Sequence, residues 1–150
     1  MATGPEYDPK FVRFLVLFNR DRDYYECHDV MEELWLEEGR DRFWQGLLQV
    51  AVGLHHYGNA NYTGAVKLLR AALEKLDGCA DGKAGIDVKR LREEAAAVLA
   101  PLEAWLAGGG IGGAPEPGPI EIRVIDPALA GLVAAETERP RGALPGADGE

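Results

Sequence analysis

Phe43-Trp44-Gln45-Gly46-Leu47-Leu48-Gln49-Val50-Ala51-Val52-Gly53-Leu54-His55-His56 decides the fold of this chain. No charged residue stands between Arg42 and Lys67. A helix that is apolar nearly all round belongs in the middle of a bundle. A membrane span is the competing explanation of an uncharged stretch. It fails because Gln45, Gln49, His55, His56, Asn59 and Asn61 interrupt the run and leave too few continuous apolar residues. At about 100° per residue, Gln45, Gln49 and His56 form one narrow polar stripe on this helix, with Gly53 and Ala60 beside it. Small residues there let another helix or a ligand come close.

Upstream, Tyr24 to Glu38 reads as a second amphipathic helix. Tyr24, Cys27, Val30, Met31, Leu34 and Trp35 share one arc; Glu26, Asp29, Glu33 and Glu37 share the opposite, wet arc. The short link Gly39-Arg40 makes this helix and the central one antiparallel neighbours. Before it, Asp8-Pro9 is a helix start, a capping carboxylate followed by proline at the first helical position. Phe11, Phe14, Leu15 and Phe18 carry that helix to about Arg20. Downstream, Thr63 can cap a fourth helix, in which Ala65, Leu68, Leu69, Ala72, Leu73 and Leu76 repeat at i, i+3, i+4. Gly53, Ala65, Leu69 and Ala72 have the relative spacing of one tetratricopeptide helical pair, too few units for a solenoid and read here as a helical hairpin with small-residue packing. Gly78 to Gly85 is a loop. Asp87 can cap a fifth helix through Trp105, which Pro101 should kink or divide. The fold predicted is therefore all-α, a compact bundle of about five helices with the third central and an irregular C-terminal tail.

The bundle domain should span residues 7–107. Residues 108–119 are almost all glycine and proline, a flexible linker. Residues 120–150 form an extended or partly disordered tail, in which Ile120, Ile122 and Val124 alternate with polar residues as an apolar strip lying on the bundle. Pro127 opens a short Ala-rich helical segment through about Glu136, and the last dozen residues should be disordered.

Hydrophobic residues make up 47% of the 150 and charged residues 27%, an ordinary globular balance. The formal net charge of −9 repels phosphate backbones, so nucleic acid is not an expected partner. Met1 to Glu6 lacks the basic and apolar regions of a signal peptide, and the expectation is a cytoplasmic protein. Cys27 and Cys79 are the only cysteines, too few and too far apart for a disulfide framework or a zinc motif. The chain contains no serine, which excludes a serine nucleophile, and Gly108 to Gly113 does not stand between a strand and a helix as a dinucleotide fingerprint requires.

Three blocks taken in order carry a family resemblance: Phe18-Asn19, then Tyr24-Tyr25-Glu26-Cys27-His28-Asp29-Val30-Met31-Glu32-Glu33-Leu34-Trp35, then Phe43 to His56. Together they resemble the prokaryotic domain-of-unknown-function family numbered 309. Asn59, Gly64-Ala65 and the apolar fourth helix continue the likeness, which runs from about Asp8 to Leu76. What the resemblance implies is an all-α fold of several packed helices, with the His/Glu block and the Gln-Gly block as signatures. It implies no reaction.

The residues themselves nominate a site. His28 and Glu32 are four apart, hence neighbours on a helix, and they border the apolar arc next to Trp35. Partial burial there would shift their ionisation and permit chemistry. His28 and Glu32 are the candidate catalytic pair, a general base and its orienting group; Tyr25, Gln45, Gln49 and His56 are candidate ligand-binding residues across the helix seam. Two histidines and a glutamate could hold a divalent metal, but no zincin or di-iron spacing is present, and the metal-free form is preferred. His55 and His56 point about 100° apart and cannot easily serve one ion. The leading reading is a polar small-ligand or substrate pocket between the second and third helices. The alternative is a non-catalytic protein-protein interaction module whose same residues form a structural hydrogen-bond network, with the acids of the second helix as a docking face. Whether the chain is an enzyme, and its oligomeric state, the sequence leaves open.

Overall fold

The computed structural model describes residues 7–139. The signal-peptide reading of Met1 to Glu6 lies outside them, as does nearly all of the final stretch read as disordered. Among the described residues the regular structure is helical. Helix α1 (Pro9–Val16) starts as predicted, with the Asp8 carboxylate accepting from the Lys10 amide at 2.8 Å. Instead of continuing to Arg20 as one α-helix, the backbone widens into a π turn over Leu17–Asp21. Arg22, at φ 52°, closes that turn by donating its amide to the Leu17 carbonyl.

Helix α2 (Tyr24–Glu37) is capped by Asp23, which accepts from the Glu26 amide at 3.1 Å. Gly39 and Arg40 then take positive φ values of 74° and 64°. Glycine suits that conformation at no steric cost; Arg40 accepts it while its guanidinium lies over the Trp35 ring at 5.4 Å. Helix α3 (Arg42–Gly58) follows, capped by Asp41 on the Phe43 amide at 2.7 Å. Helix α4 (Tyr62–Leu76) begins one residue before Thr63, the expected cap. Asn61 caps it instead, accepting from the Gly64 amide at 3.1 Å; asparagine outranks threonine at that position. Helix α5 (Val88–Ala107), capped by Asp87, runs through Pro101 as one helix rather than two segments. Pro101 and Ala97, whose carbonyl loses its amide partner, are both exposed, so water can take the missing donor's place. A sixth helix, α6 (Pro127–Thr137), ends the described chain.

Helix α3 packs against α2 on one side and α4 on the other, and α5 packs on α4. Its buried positions include Phe43, Gly46, Leu47, Val50, Ala51, Gly53 and Leu54, which wrap most of its circumference. Two glycines set how close α4 comes. A Cβ at Gly53 would lie 2.9 Å from Leu69 Cγ, and one at Gly46 would lie 2.8 Å from Leu76 Cγ. Each glycine costs the helix about 1 kcal/mol relative to alanine. The approach it permits buries a whole leucine, which stabilises by roughly 2 kcal/mol.

The segment after α5 returns over the bundle. Ile120 and Ile122 are buried, and Val124 forms a single antiparallel bridge with Ile86. The Asn19 side chain, carried on the π turn, donates to the Ile122 carbonyl at 2.8 Å and accepts from its amide at 2.9 Å. Arg22 donates to the Ile120 carbonyl at 2.6 Å. Glu94 of α5 accepts from the Glu121 amide at 2.9 Å and pairs with Arg123 at 3.0 Å. Helix α6 then lies against α1, with Leu129 fully buried. No helix among the described residues is long and apolar enough to cross a membrane.

Candidate functional site

The α2 sequence places Cys27, Met31 and Leu34 in the core. His28, one step round from Cys27, therefore emerges at the rim, where its side chain is 38% exposed. Its two ring nitrogens face two carboxylates: Nδ1 is 3.3 Å from Asp29 Oδ1 and Nε2 is 3.8 Å from Glu32 Oε2. The second distance is too long for a hydrogen bond and becomes an ion pair only when the imidazole is protonated. The Glu32 side chain is half exposed. Because the carboxylates flank opposite edges of the ring, they cannot close on one ion together with it. Among the described residues no three His, Cys, Asp or Glu side chains group so as to hold a metal.

The other nominated residues are placed as follows. Gln45 and Gln49 lie half-buried on α3, and Gln49 Oε1 is enclosed without a hydrogen-bond partner, as is Trp35 Nε1 on α2. His56, half-buried near the end of α3, has its Nδ1 3.3 Å from the side-chain nitrogen of Asn61, the cap of α4. No hydrogen bond joins His28 or Glu32 to Gln45, Gln49 or His56 among the described residues. Tyr25, 60% exposed, has its ring centroid 5.6 Å from that of His55.

That last contact brings the nominated Tyr25 together with residues that the sequence did not nominate. Arg22, Asp23, Tyr24, Tyr25, Leu54, His55, Gly58 and Asn59 line an open cleft of about 350 Å³ at the junction of the α2 start and the α3 end. His55 Nε2 is 3.2 Å from the Asn59 side-chain nitrogen, which holds the ring. The signal was present: Tyr25 lies 15 residues before Arg40 and His55 15 residues after it, so antiparallel pairing sets them opposite one another. His28 is one helical turn from Tyr25 on α2 and is not itself among the residues that line the cleft.

Cys27 takes no part in such chemistry. It is fully buried, its Sγ lies 3.8 Å from the Phe14 carbonyl, and burial first, then the charges of Asp23, Asp21 and Glu26, push its thiol far above the ordinary range. The nucleophile is the thiolate, which this environment suppresses.

Comparison with known proteins gives relatives but no activity. The chain is 36% identical over 104 residues to "Uncharacterized protein YpuF" of Bacillus subtilis (strain 168), an alignment covering 65% of this chain and 59% of that protein. It is 28% identical over 84 residues to an "Uncharacterized protein" of Aquifex aeolicus (strain VF5), covering 54% of this chain and 25% of that one. The chain thus spans less than two thirds of the first relative and a quarter of the second. No solved structure matches. The family to which α1, α2, α3 and the first half of α4 are similar, carrying His28, Glu32, Gln45, Gln49 and His56 among them, is Domain of unknown function (DUF309), matched over residues 11–68.

Proposed function

We propose that the α2–α3 face binds a small polar ligand, with His28 as the proton-accepting or proton-donating group, Asp29 and Glu32 orienting its ring, and Tyr25 and His55 lining the adjoining cleft. One observation carries this reading: a half-exposed imidazole set between two carboxylates on one helix, one helical turn from Tyr25, which lines an open cleft. Carboxylates at both ring edges orient the imidazole for proton transfer. The acidic surroundings suit a ligand bearing a hydroxyl or an amine rather than a phosphate. A divalent metal would have to be bound by fewer protein groups than a closed site uses.

The test is a titration of isotopically labelled full chain, followed by NMR, with zinc and then with small amines, polyols and carboxylates. Shifts centred on Tyr25, His28 and His55, lost in His28→Gln and in Glu32→Gln while the fold is kept, support the proposal. Shifts that persist in both variants sink it, as does no response to any probe. Metal analysis of protein prepared without a histidine tag separates a metal-assisted form from a metal-free one. The interaction-module reading draws on a different observation, the exposed row Asp29, Glu32, Glu33 and Glu37 flanked by the exposed Leu36; charge reversal at Glu33 and Glu37 would abolish partner binding on that reading and leave ligand shifts untouched on the first.

A further inference from the structure

Three helices end or begin at one corner of the bundle, and each contributes an aromatic ring there. Tyr57 comes from the end of α3, Tyr62 from the start of α4 and Trp105 from the last turn of α5. Tyr57 and Tyr62 meet edge to face at 5.7 Å and 86°; Tyr62 and Trp105 do the same at 5.2 Å and 84°. Such T-shaped contacts hold rings rigidly. The glycine- and proline-rich stretch that sequence reading treats as a linker passes over this wall. The Tyr57 hydroxyl donates to the Pro115 carbonyl, and Trp105 Nε1 donates to the Ile111 carbonyl at 3.1 Å.

The chemistry of the covering segment is specific. Pro115, Pro117 and Pro119 fix φ at every second residue and carry no amide hydrogen. Ala114, Glu116 and Gly118, each preceding a proline, are pushed to extended conformations. What such a chain offers a protein is apolar rings and unpaired carbonyls. Flat aromatic walls with phenol and indole donors aimed at those carbonyls are the means by which extended proline-rich peptides are recognised.

The cover is held lightly. From Gly112 to Pro119 the Tyr57 bond is the one hydrogen bond among the described residues. Glu116 and Pro117 are exposed, and Ile111 is 83% exposed. A cleft of about 280 Å³ remains between Leu54, Tyr57 and Tyr62 on one side and Ala114, Pro115, Glu116 and Pro117 on the other. Both ends are anchored, by Trp105 at Ile111 and by Arg22 at Ile120, so the middle can lift without unseating the rest. Segments with so few contacts open at low cost.

We propose that Tyr57 and Tyr62, with Trp105 backing Tyr62, form a recognition site for an extended proline-rich peptide of a partner protein, covered in this structure by the chain's own 114–117 segment acting as a displaceable strap. The strap's composition reports the ligand class. Its charge indicates how a competitor differs: Glu116 lies close enough to contribute, after burial and Tyr62, to holding the Tyr57 hydroxyl protonated, and the chain as a whole carries −9. A partner peptide with lysine or arginine between its prolines gains attraction that Glu116 lacks. This site lies apart from His28 and does not depend on the function proposed for it.

The experiment uses the full chain and two synthetic peptides, Ala-Pro-Glu-Pro-Gly-Pro and Ala-Pro-Arg-Pro-Gly-Pro, with the Trp105 indole N–H followed by NMR. In the double variant Pro115→Gly/Pro117→Gly, which loosens the strap, melting should be little changed. The arginine peptide should bind this variant at least about tenfold more tightly than the intact chain, because a tethered competitor acts at roughly millimolar effective concentration. It should also bind more tightly than the glutamate peptide. Adding Tyr57→Phe or, separately, Tyr62→Leu should weaken binding several-fold; the second variant keeps the test valid if the first disturbs the fold. No binding to the loosened chain at millimolar peptide overturns the proposal, as does binding that neither aromatic variant weakens. Dimers formed by exchange of straps between copies would overturn the assignment to a partner in favour of a second copy of this chain.

Discussion

The α3–α4 seam and the attachment of the C-terminal segment hold the same molecule together by opposite means. Along the seam the closeness is steric: Gly46 and Gly53 bring the helices together until Leu76 and Leu69 fill the space their side chains would occupy, and the polar contact is at one exposed end, where Arg42 donates to the Lys75 and Glu74 carbonyls. The returning segment is fastened by discrete polar links, from Asn19, Arg22 and Glu94 to the backbone of residues 120–122 and from Glu94 to Arg123. A steric seam fails by overfilling and takes its neighbours with it. A polar attachment fails one link at a time and locally.

The largest expected effect breaks the first half of that contrast. Gly53→Val should destabilise the whole fold by about 3 kcal/mol, since its methyls would enter space held by Leu69 and overpacking of a tight core is global in effect. Chemical denaturation should show a lower midpoint with an unchanged slope; a variant as stable as the parent would show that the seam has slack. Asn19→Ala should cost about 2 kcal/mol, because it leaves both backbone groups of Ile122 without partners. Hydrogen exchange should find that loss confined to residues 120–139, with α3 and α4 protected as before. Loss of protection across the bundle would erase the distinction between the two regions.

Glu94 sharpens the comparison through pH. Burial raises its pKa, but the Glu121 amide, Arg90 and Arg123 outweigh that and leave it below its ordinary value of 4.5. The folded carboxylate is thus favoured over the unfolded one. Its stabilisation is present above the unfolded pKa and is lost as pH falls through 4.5 towards the lower folded value. Glu94→Gln should cost about 1 kcal/mol at neutral pH, and the difference in melting from the parent should shrink as the solution is acidified below that range. A difference independent of pH would mean the ion pairs contribute nothing. Smallest of all is the His28–Glu32 pair. At 3.8 Å and half exposed, it should contribute under about 0.5 kcal/mol. Thermal melts of His28→Leu, Glu32→Leu and the double variant should be additive to within that figure; a larger coupling would place the pair in a drier setting than its exposure indicates.

Much of the helical framework was legible because it rests on local signals. Asp8-Pro9 and Asp87 cap as read, and the uncharged stretch from Phe43 finds the middle of the bundle. Thr63 misled because Asn61, two residues earlier, competes for the same helix end. The π turn at Leu17–Asp21 left no periodic trace, since Phe18 keeps helical spacing across it while Asn19 is re-aimed at a residue about a hundred positions away. Pairings of that range leave no local pattern in a single sequence. The candidate site shows the same division. Helical spacing put His28 beside Glu32, whereas the Tyr25–His55 contact depended on the antiparallel register of two helices, and the meeting of Pro115 with Tyr57 depended on the path of a segment without periodicity.

The fully enclosed Cys27 between α1 and α2 turns the chain into its own stopwatch. Cys79, half-buried after α4, can meet an alkylating reagent in the native state, whereas Cys27 must wait until α2 parts from the Phe14 carbonyl above it. The rate at which the second thiol is consumed therefore counts openings of the core, and the first supplies the reference for reagent access in the same tube. With no other cysteine in the chain, the two labelling rates can be read by mass alone, without any engineered probe.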